Sequence, residues 1–177
     1  RMLEDLEIRH LANGDHALAF ALLTDFVDHV EETHADDVRL LARVKRGIAE
    51  LNEKYPRAGE PAFHLFHRRR RHNAAQGCWM GWERKRGKLE ELNRLLRGEA
   101  DGSFDLVTAS ESWLRSVRYV LTLDADTELP RDVARDLVAT ISHPLNRPRI
   151  DAATGRIVEG YGIIQPRVGT EPVSARK

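Results

Sequence analysis

Two aspartates at the end of an apolar run have the spacing in this chain that most directly suggests chemistry. Residues 118–130 read RYVLTLDADTELP, and the run ends at Asp124 and Asp126. Residues two apart on a strand point to the same side. Two carboxylates placed in this way can bind one hard divalent cation, such as Mg²⁺ or Mn²⁺, and leave coordination positions for phosphate oxygens and water. The alternative is a solvated strand end, at which Asp126 or Thr127 caps the helix that follows.

A run of arginines, HRRRRHN at residues 67–73, carries part of the positive charge that a phosphate ligand would need. It belongs to a longer stretch, residues 67–88, in which basic residues far outnumber acidic ones. The arginines could contact phosphates directly. A charge run is also typical of a solvated surface loop, and that interpretation stays open.

Two tryptophans and two lysines follow in the segment WMGWERKRGKLEELN, residues 79–93. Trp79 and Trp82 could stack on a sugar or a base, and Lys85 and Lys88 could bind a diphosphate. Alternatively, the tryptophans anchor a loop, and the lysines extend their apolar stems along an ordinary helix.

The composition limits the class of partner. The chain has 177 residues with 28 Lys and Arg against 28 Asp and Glu, so the formal net charge is zero. This balance argues against bulk attraction to nucleic acid or to an acidic membrane. The single cysteine, Cys78, excludes an internal disulfide. No apolar run approaches the roughly 20 residues that a membrane-spanning helix needs.

Alternating helices and strands are predicted to position these residues. Helices are predicted at 1–13, 36–55, 83–98 and 130–145, and strands at 17–26, 61–69, 117–124 and 157–168. Residues 73–82 are predicted to be a loop, and residues 100–116 a connector with a short helix near Trp113. This order is typical of α/β proteins with a mainly parallel sheet flanked by helices. Ligands bind such sheets at the carboxyl ends of the strands, where Asp25, the arginines and the two aspartates are expected.

Several longer segments together resemble the glycosyltransferase domain of cyclic β-1,2-glucan synthases. They are RRRRHNAAQGCWMGWERKRGKLEELNRLLRG, YVLTLDADTELPR, HPLNRPR and GRIVEGYGIIQPRV, with LEIRHLANGD and FALLTDF upstream. The resemblance covers nearly the whole chain. It implies a GT-A-like (Rossmann-like) fold, similar to that of the cellulose and chitin synthases. We expect residues 1–177 to form a partial domain of this type, the donor-binding half, without its first strand or its acceptor region.

The resemblance also implies roles for individual residues. An aspartate at the end of the second GT-A strand contacts the uracil of the donor, and a helix start with lysine and glycine lies beside the donor diphosphate. The donor-binding residues implied here are Asp25, Lys85, Gly87, Lys88, Asp124 and Asp126, of which Asp124 and Asp126 hold the metal ion. The helix start differs in spacing from the family pattern, so the choice between the two lysines stays open. Gln165 is implied at the acceptor channel, and we expect Trp79 and Trp82 to bind the acceptor as well.

The implied activity is inverting, metal-dependent transfer of glucose from UDP-glucose to a growing β-1,2-glucan. Mg²⁺ or Mn²⁺ would hold the UDP leaving group. The general base that deprotonates the acceptor is expected beyond Lys177, so the isolated chain is expected to be inactive. Family members carry this domain between membrane helices, which implies a cytoplasmic domain of a bacterial inner-membrane protein. No nucleic-acid partner is expected.

Two other function classes are compatible with the same residues. The segment LTLDADTEL also resembles the D-x-D-x-T signature of haloacid-dehalogenase-type phosphatases, in which Asp124 would be the nucleophile and Asp126 the general acid. That fold usually places the signature on its first strand, whereas here it follows two predicted strands. The second alternative is a non-catalytic module that binds RNA or an acidic partner through residues 67–88. The zero net charge and the lack of an RNA-binding signature weaken it.

Overall fold

Helices and short strands alternate along the chain, which the computed structural model describes at residues 1–99, 102–167 and 169. The chain divides into two compact units, Arg1–Glu128 and Leu129–Lys177. The first unit contains α1 (Met2–Ala12), β1 (Phe20–Asp25), α2 (Asp37–Lys54), β2 (Phe63–Arg68), β3 (Arg71–Asn73), β4 (Cys78–Met80), α3 (Arg84–Leu96), β5 (Phe104–Val107) and α4 (Glu111–Ser116). The second contains α5 (Val133–Ser142), a 3-10 turn (Pro144–Asn146), β6 (Arg149–Ile150) and β7 (Ile157–Glu159).

The main sheet of the first unit has the strand order β1–β2–β5. Strands β1 and β2 run parallel, from the register pair Phe20 and Phe63 to the pair Asp25 and Arg68. Strand β5 pairs with β2 in the antiparallel direction. The predicted α/β class is therefore confirmed, but the sheet is mixed rather than mainly parallel. The difference comes from β5, which lies in the segment that was predicted to be a connector.

Helices α1 and α2 cover one face of this sheet. Strand β2 is buried along its whole length, which agrees with a strand that is covered on both faces. The core on the helix side is formed by Leu6, Phe20, Leu22, Ile48, Leu51, Ala62, Phe63 and Leu65. The side-chain amide of Asn52 in α2 pairs with the backbone of Phe63, at 2.9 Å to its carbonyl and 3.0 Å from its N–H. This pairing fixes the helix along the strand.

The predicted helices of the first unit are confirmed, and their ends follow the expected local chemistry. Asp37 lies at the start of α2, where the helix dipole favours a carboxylate. Helix α3 is followed by Gly98 at φ +83°, a conformation that glycine adopts without steric cost. The short helix near Trp113 is α4, and the side chain of Ser110 caps it by accepting from the Trp113 N–H at 3.3 Å.

The predicted loop at residues 73–82 is wrong in part, because it contains most of a small hairpin. Strands β3 and β4 pair from Arg71 and Met80 to Asn73 and Cys78. Gly77, at φ +63°, lies in the turn between them. Strands of three residues are too short to show an alternating pattern, so periodicity does not reveal them.

The predicted strand at residues 117–124 is also wrong. This segment forms no strand in the structure, and Tyr119, Val120 and Leu121 are 46%, 46% and 42% exposed. Its β-branched and aromatic residues favour extended backbone, but a strand also needs a neighbour that supplies hydrogen-bond partners. The ordered sheet β1–β2–β5 does not supply that neighbour to this segment.

The second unit consists of α5, the 3-10 turn and a hairpin of β6 and β7. Helix α5 begins at Val133, three residues after the predicted start at Pro130. Arg149 and Glu159 form an ion pair across the hairpin at 2.7 Å. The strand predicted at residues 157–168 extends only from Ile157 to Glu159, and its last residue lies outside the described residues. None of the helices in the described part of the chain has the length and apolar character needed to cross a membrane.

Candidate functional site

The carboxyl ends of the parallel strands β1 and β2 meet at a buried ion pair. Asp25 and Arg68 are the last register partners of the two strands, and Arg68 Nε donates to Asp25 Oδ1 at 2.6 Å. The side chain of Arg68 is only 1% exposed. Its other nitrogens donate to the carbonyl oxygens of Trp82 at 3.0 Å and Arg84 at 3.1 Å. Arg68 therefore ties the chain that enters α3 to the end of the sheet.

Glu91 of α3 is the second carboxylate that accepts from Arg68. Its Oε2 accepts from Arg68 Nη1, and its Oε1 accepts from Ser103 Oγ at 2.9 Å. Burial alone lowers the pKa of Arg68, but the hydrogen bonds to Asp25 and Glu91 outweigh burial and raise that pKa above its ordinary value. The guanidinium is therefore charged at any physiological pH, and it holds two carboxylates in place.

Lys85 and Lys88, which sequence alone left as alternatives, have different partners. Lys88 Nζ lies 2.7 Å from Asp25 Oδ2, and its side chain is 22% exposed. Lys85 Nζ forms an ion pair with Asp124 Oδ1, and its side chain is 69% exposed. The first turns of α3 thus bring two ammonium groups to the end of the sheet, one half-enclosed and one accessible to solvent. Four of the six residues predicted to bind the donor lie together in two ion pairs.

The entry to α3 has an unusual backbone and a required glycine. Glu83 and Arg84 have φ values of 50° and 47°, in the left-handed region that few residues other than glycine adopt. Gly87 is buried, and a Cβ there would lie 2.1 Å from the carbonyl oxygen of Trp82. Gly87 is therefore needed for close packing of the first helical turn. That turn carries basic residues and no carboxylate, so its charges add to the positive end of the helix dipole.

Asp124 and Asp126 lie in a turn rather than at the end of a strand. The turn is closed by the Thr127 N–H, which donates to the Asp124 carbonyl at 3.1 Å, and both aspartates are exposed. The alternative that Asp126 or Thr127 caps the next helix is wrong, since Asp132 precedes the first residue of α5.

The side chains of Asp124 and Asp126 are of the type that binds a hard divalent cation. Both ligands are carboxylate oxygens, which Mg²⁺ and Mn²⁺ prefer. Among the described residues, no group of three or more His, Cys, Asp or Glu side chains is arranged to hold a metal ion. A cation at Asp124 and Asp126 would therefore need water and ligand oxygens to complete its coordination.

The three residues predicted to bind the acceptor, Trp79, Trp82 and Gln165, lie in different parts of the structure. Trp79 lies in β4, and its backbone exchanges hydrogen bonds with His29 at 2.7 and 2.9 Å. Trp82 is 37% exposed and lies directly against Gly87 at the start of α3. The carbonyl oxygen of Trp82 also accepts from Arg68 at 3.0 Å. Gln165 belongs to the second unit and is exposed.

The arginine run is half buried, because two of its four side chains lie in the interior, whereas those of Arg69 and Arg71 are 49% and 41% exposed. Arg68 and Arg70 are 1% and 3% exposed. Arg70 pairs with Asp37, donates to the Val27 carbonyl at 2.8 Å, and lies 4.8 Å from the centre of the Phe26 ring. Its hydrogen bond lowers the pKa of the Asp37 carboxyl.

The sequence interpretation missed Arg68 and Glu91 as site residues. One signal could have indicated the burial of the arginines. Arg68 continues the alternation of β2, and Arg70 follows two positions later, so both fall on one side of an extended chain. No pattern in α3 marks Glu91, because a carboxylate between leucines on a helix is usually exposed.

Comparison with known proteins agrees with the resemblance found in the motifs. No family model matches the chain. Over 167 residues, 94% of its length, the chain is 46% identical to the cyclic beta-(1,2)-glucan synthase NdvB of Rhizobium meliloti (strain 1021). The matched segment is 6% of the length of that relative. The chain is therefore related to one segment of the cyclic β-(1,2)-glucan synthases, as its motifs predicted.

Proposed function

We propose that this chain binds the nucleotide-sugar donor of a glycosyltransferase, UDP-glucose, at the carboxyl end of the sheet. The observation that carries the proposal is the grouping of Asp25, Lys85, Lys88 and Asp124 in two ion pairs around the start of α3. A diphosphate carries several negative charges in a small volume. Two lysines at the positive end of a helix are suited to bind it.

Each part of the donor has a proposed partner. Asp25 accepts a hydrogen bond from the uracil, and Arg68 holds the Asp25 carboxylate in place for this contact. Lys85 and Lys88 bind the diphosphate oxygens. Gly87 lets the first turn of α3 approach closely enough to bring these lysines to the ligand.

Asp124 and Asp126 are proposed to hold Mg²⁺ or Mn²⁺. A bound divalent cation offsets the charge that develops on the UDP leaving group. In this structure the ammonium of Lys85 is the partner of Asp124. An ammonium and a metal ion compete for the same carboxylate oxygen, so Lys85 must turn away when the ion binds. The ammonium of Lys85 then pairs with the diphosphate oxygens.

The proposed reaction of the intact protein is transfer of glucose, with inversion, to a hydroxyl of a growing β-1,2-glucan. The similarity to a relative that is named a cyclic β-(1,2)-glucan synthase supports β-1,2-glucan as the product. A GT-A-like fold and a cytoplasmic location in an inner-membrane protein are part of the same proposal. Trp79 and Trp82 of the first unit are proposed to bind the acceptor glucan, and Gln165 of the second unit is a separate proposed acceptor residue. None of the described residues is proposed as the general base, so the residues described here are proposed to bind donor without completing transfer.

The test is calorimetric titration of the intact protein with UDP, with and without Mn²⁺. Asp126→Ala removes a proposed metal ligand from an exposed turn, so it leaves the core unchanged. Asp136→Ala, at an exposed position of α5, is the matched control. We expect Mn²⁺ to strengthen UDP binding in the parent protein and in the control, and to have no effect on the Asp126 variant.

Two results would argue against the proposal. Equal binding of UDP with and without Mn²⁺ would show that the metal ion has no part in donor binding. Absence of UDP binding in the intact protein would contradict the proposed donor site as a whole. A covalent aspartyl-phosphate trapped at Asp124 would instead support the phosphatase interpretation.

A further inference from the structure

Arg9 of helix α1 contacts the turn that carries the two aspartates. Its Nη2 donates to the carbonyl oxygen of Thr127 at 2.8 Å, and it lies 3.3 Å from the carbonyl oxygens of both Asp124 and Ala125. Arg9 and Asp124 are 115 positions apart in the chain. One guanidinium nitrogen therefore joins three carbonyl oxygens of a four-residue turn to a distant helix.

Two features of the described residues bear on how the turn is held. The segment that precedes it, residues 117–124, forms no strand in the described structure. The carboxylate of Asp124 is held by Lys85, whose ammonium must leave when a cation binds in the proposed function. Arg9 contacts only backbone oxygens of the turn, so its hydrogen bonds do not compete with a metal ion for the carboxylates.

We propose that Arg9 is a positioning residue for the metal-binding turn, which it holds in a conformation that offers both Asp124 and Asp126 to one cation. This inference rests on the proposed function. Arg9 itself does not touch the metal ion or the donor in this proposal. Its role follows from the general dependence of metal affinity on the groups that orient the ligands.

The size of the effect follows from the population of the competent conformation. Without Arg9, the three carbonyls lose their shared donor, and we expect the turn to sample further conformations. The apparent dissociation constant of the cation rises as the binding-competent fraction falls. Loss of a group that orients metal ligands typically weakens metal binding about tenfold or more.

The test measures Mn²⁺ binding to the intact protein at saturating UDP, from the electron paramagnetic resonance signal of free Mn²⁺. Arg9→Met keeps the length of the apolar stem and removes the donors. Arg9→Lys keeps the charge on a shorter side chain. The matched control is Arg46→Met, because Arg46 is a helical arginine whose ion pair with Glu50, at 3.6 Å, lies on the exposed face of α2.

We expect Arg9→Met to weaken Mn²⁺ binding about tenfold, Arg9→Lys to weaken it less, and Arg46→Met to leave it unchanged. UDP binding without metal should be the same in all four proteins, which a purely structural defect would not allow. If Arg9→Met fails to fold, Arg9→Lys carries the test alone. Mn²⁺ binding that is normal in both Arg9 variants but lost in Asp126→Ala would overturn the role of Arg9 and leave the proposed function intact. Normal Mn²⁺ binding in Asp126→Ala would overturn both.

Discussion

Arg68 and Asp25 end the parallel strands β2 and β1 side by side, with Arg68 Nε 2.6 Å from Asp25 Oδ1. The same guanidinium holds Glu91 of α3 and two carbonyl oxygens of the chain that enters this helix. The proposed uracil contact and the proposed diphosphate contacts are thus positioned by one buried side chain.

Replacement of Arg68 by Met is expected to destabilise the first unit strongly. It leaves Glu91, which is 2% exposed, and Asp25 without their shared cation. Removal of one partner from a buried ion pair typically lowers the free energy of unfolding by about 3–5 kcal/mol. Hydrogen-exchange mass spectrometry of the intact protein would measure this as lost protection of the β1 and β2 amides.

The control for Arg68 is Arg39→Met. Arg39 pairs with Asp36 at 2.8 Å, but its side chain is 77% exposed. An exposed pair of this kind contributes at most about 1 kcal/mol, so protection should barely change. Equal effects of the two substitutions would mean that the buried network around Arg68 adds nothing to stability.

Gly87→Ala is expected to weaken donor binding by displacing the first turn of α3. The new Cβ would overlap the Trp82 carbonyl oxygen, so the helix start must move away from the end of the sheet. Overpacking of this kind costs about 1–3 kcal/mol of stability. Calorimetry with UDP and hydrogen exchange of α3 would measure the two effects.

The matched substitution is Gly14→Ala. A Cβ at Gly14 would have only the His10 carbonyl oxygen near it, at an ordinary contact distance of 3.8 Å. We expect UDP affinity and protection of α3 to stay unchanged in this variant. If Gly87→Ala bound UDP as tightly as Gly14→Ala, the close approach of α3 would not matter for the donor.

Lys85→Met and Lys88→Met are expected to differ in their effect on metal binding. Loss of Lys85 frees the Asp124 carboxylate, so Mn²⁺ should bind about twofold to fivefold more tightly when no nucleotide is present. Lys88 pairs with Asp25 and donates to the Leu23 carbonyl at 3.5 Å, so its loss should leave Mn²⁺ affinity unchanged. Both substitutions should weaken UDP binding, because each removes a cation from the diphosphate site.

The control for the lysines is Arg86→Met, an exposed basic residue in the same helical turn. It removes the same charge from the helix start without removing either ion pair. Mn²⁺ titrations by electron paramagnetic resonance, without UDP, separate the three variants. Unchanged or weaker Mn²⁺ binding in Lys85→Met would contradict competition between the ammonium and the metal ion.

Stability of the first unit is expected to fall as the pH drops below about 6.5. Burial lowers the pKa of His64 and His67 below the ordinary value of 6.5. Between the lowered pKa of the folded state and the ordinary pKa of the unfolded state, the unfolded protein binds more protons than the folded protein. The stabilisation is therefore complete above pH 6.5 and is lost on acidification. Glu7, whose pKa is lowered by hydrogen bonds from Lys54 and Tyr55, adds a stabilisation that is complete above its ordinary pKa of 4.5 and is lost only below it.

Urea unfolding followed by pulse proteolysis would measure this dependence across that pH range. His64→Gln should reduce the slope of unfolding free energy against pH, because it removes one of the buried histidines. His16→Gln is the control, since the side chain of His16 is 99% exposed. An identical slope in the two variants would show that protonation of His64 does not limit stability.

The sequence by itself determined the α/β class, the four helices with clear apolar periodicity, and the buried strands β1 and β2. It also determined the relationship to the glucan synthases, because long motifs in a fixed order are a property of the chain alone. Periodicity describes which side of an element is apolar, and that information is local. The same local information wrongly predicted a strand at residues 117–124.

Only the tertiary structure decided which charges are buried and which partners they have. Arg68 and its neighbours have the same side-chain chemistry, yet Arg68 lies between two carboxylates from distant segments and Arg69 reaches an exposed one, Asp105, at 3.0 Å. Likewise, the pairing of Lys88 with Asp25 and of Lys85 with Asp124 was decided by the packing of α3 against the sheet. A charge can be buried only where folding brings an opposite charge to it, so the outcome depends on contacts that no local pattern contains.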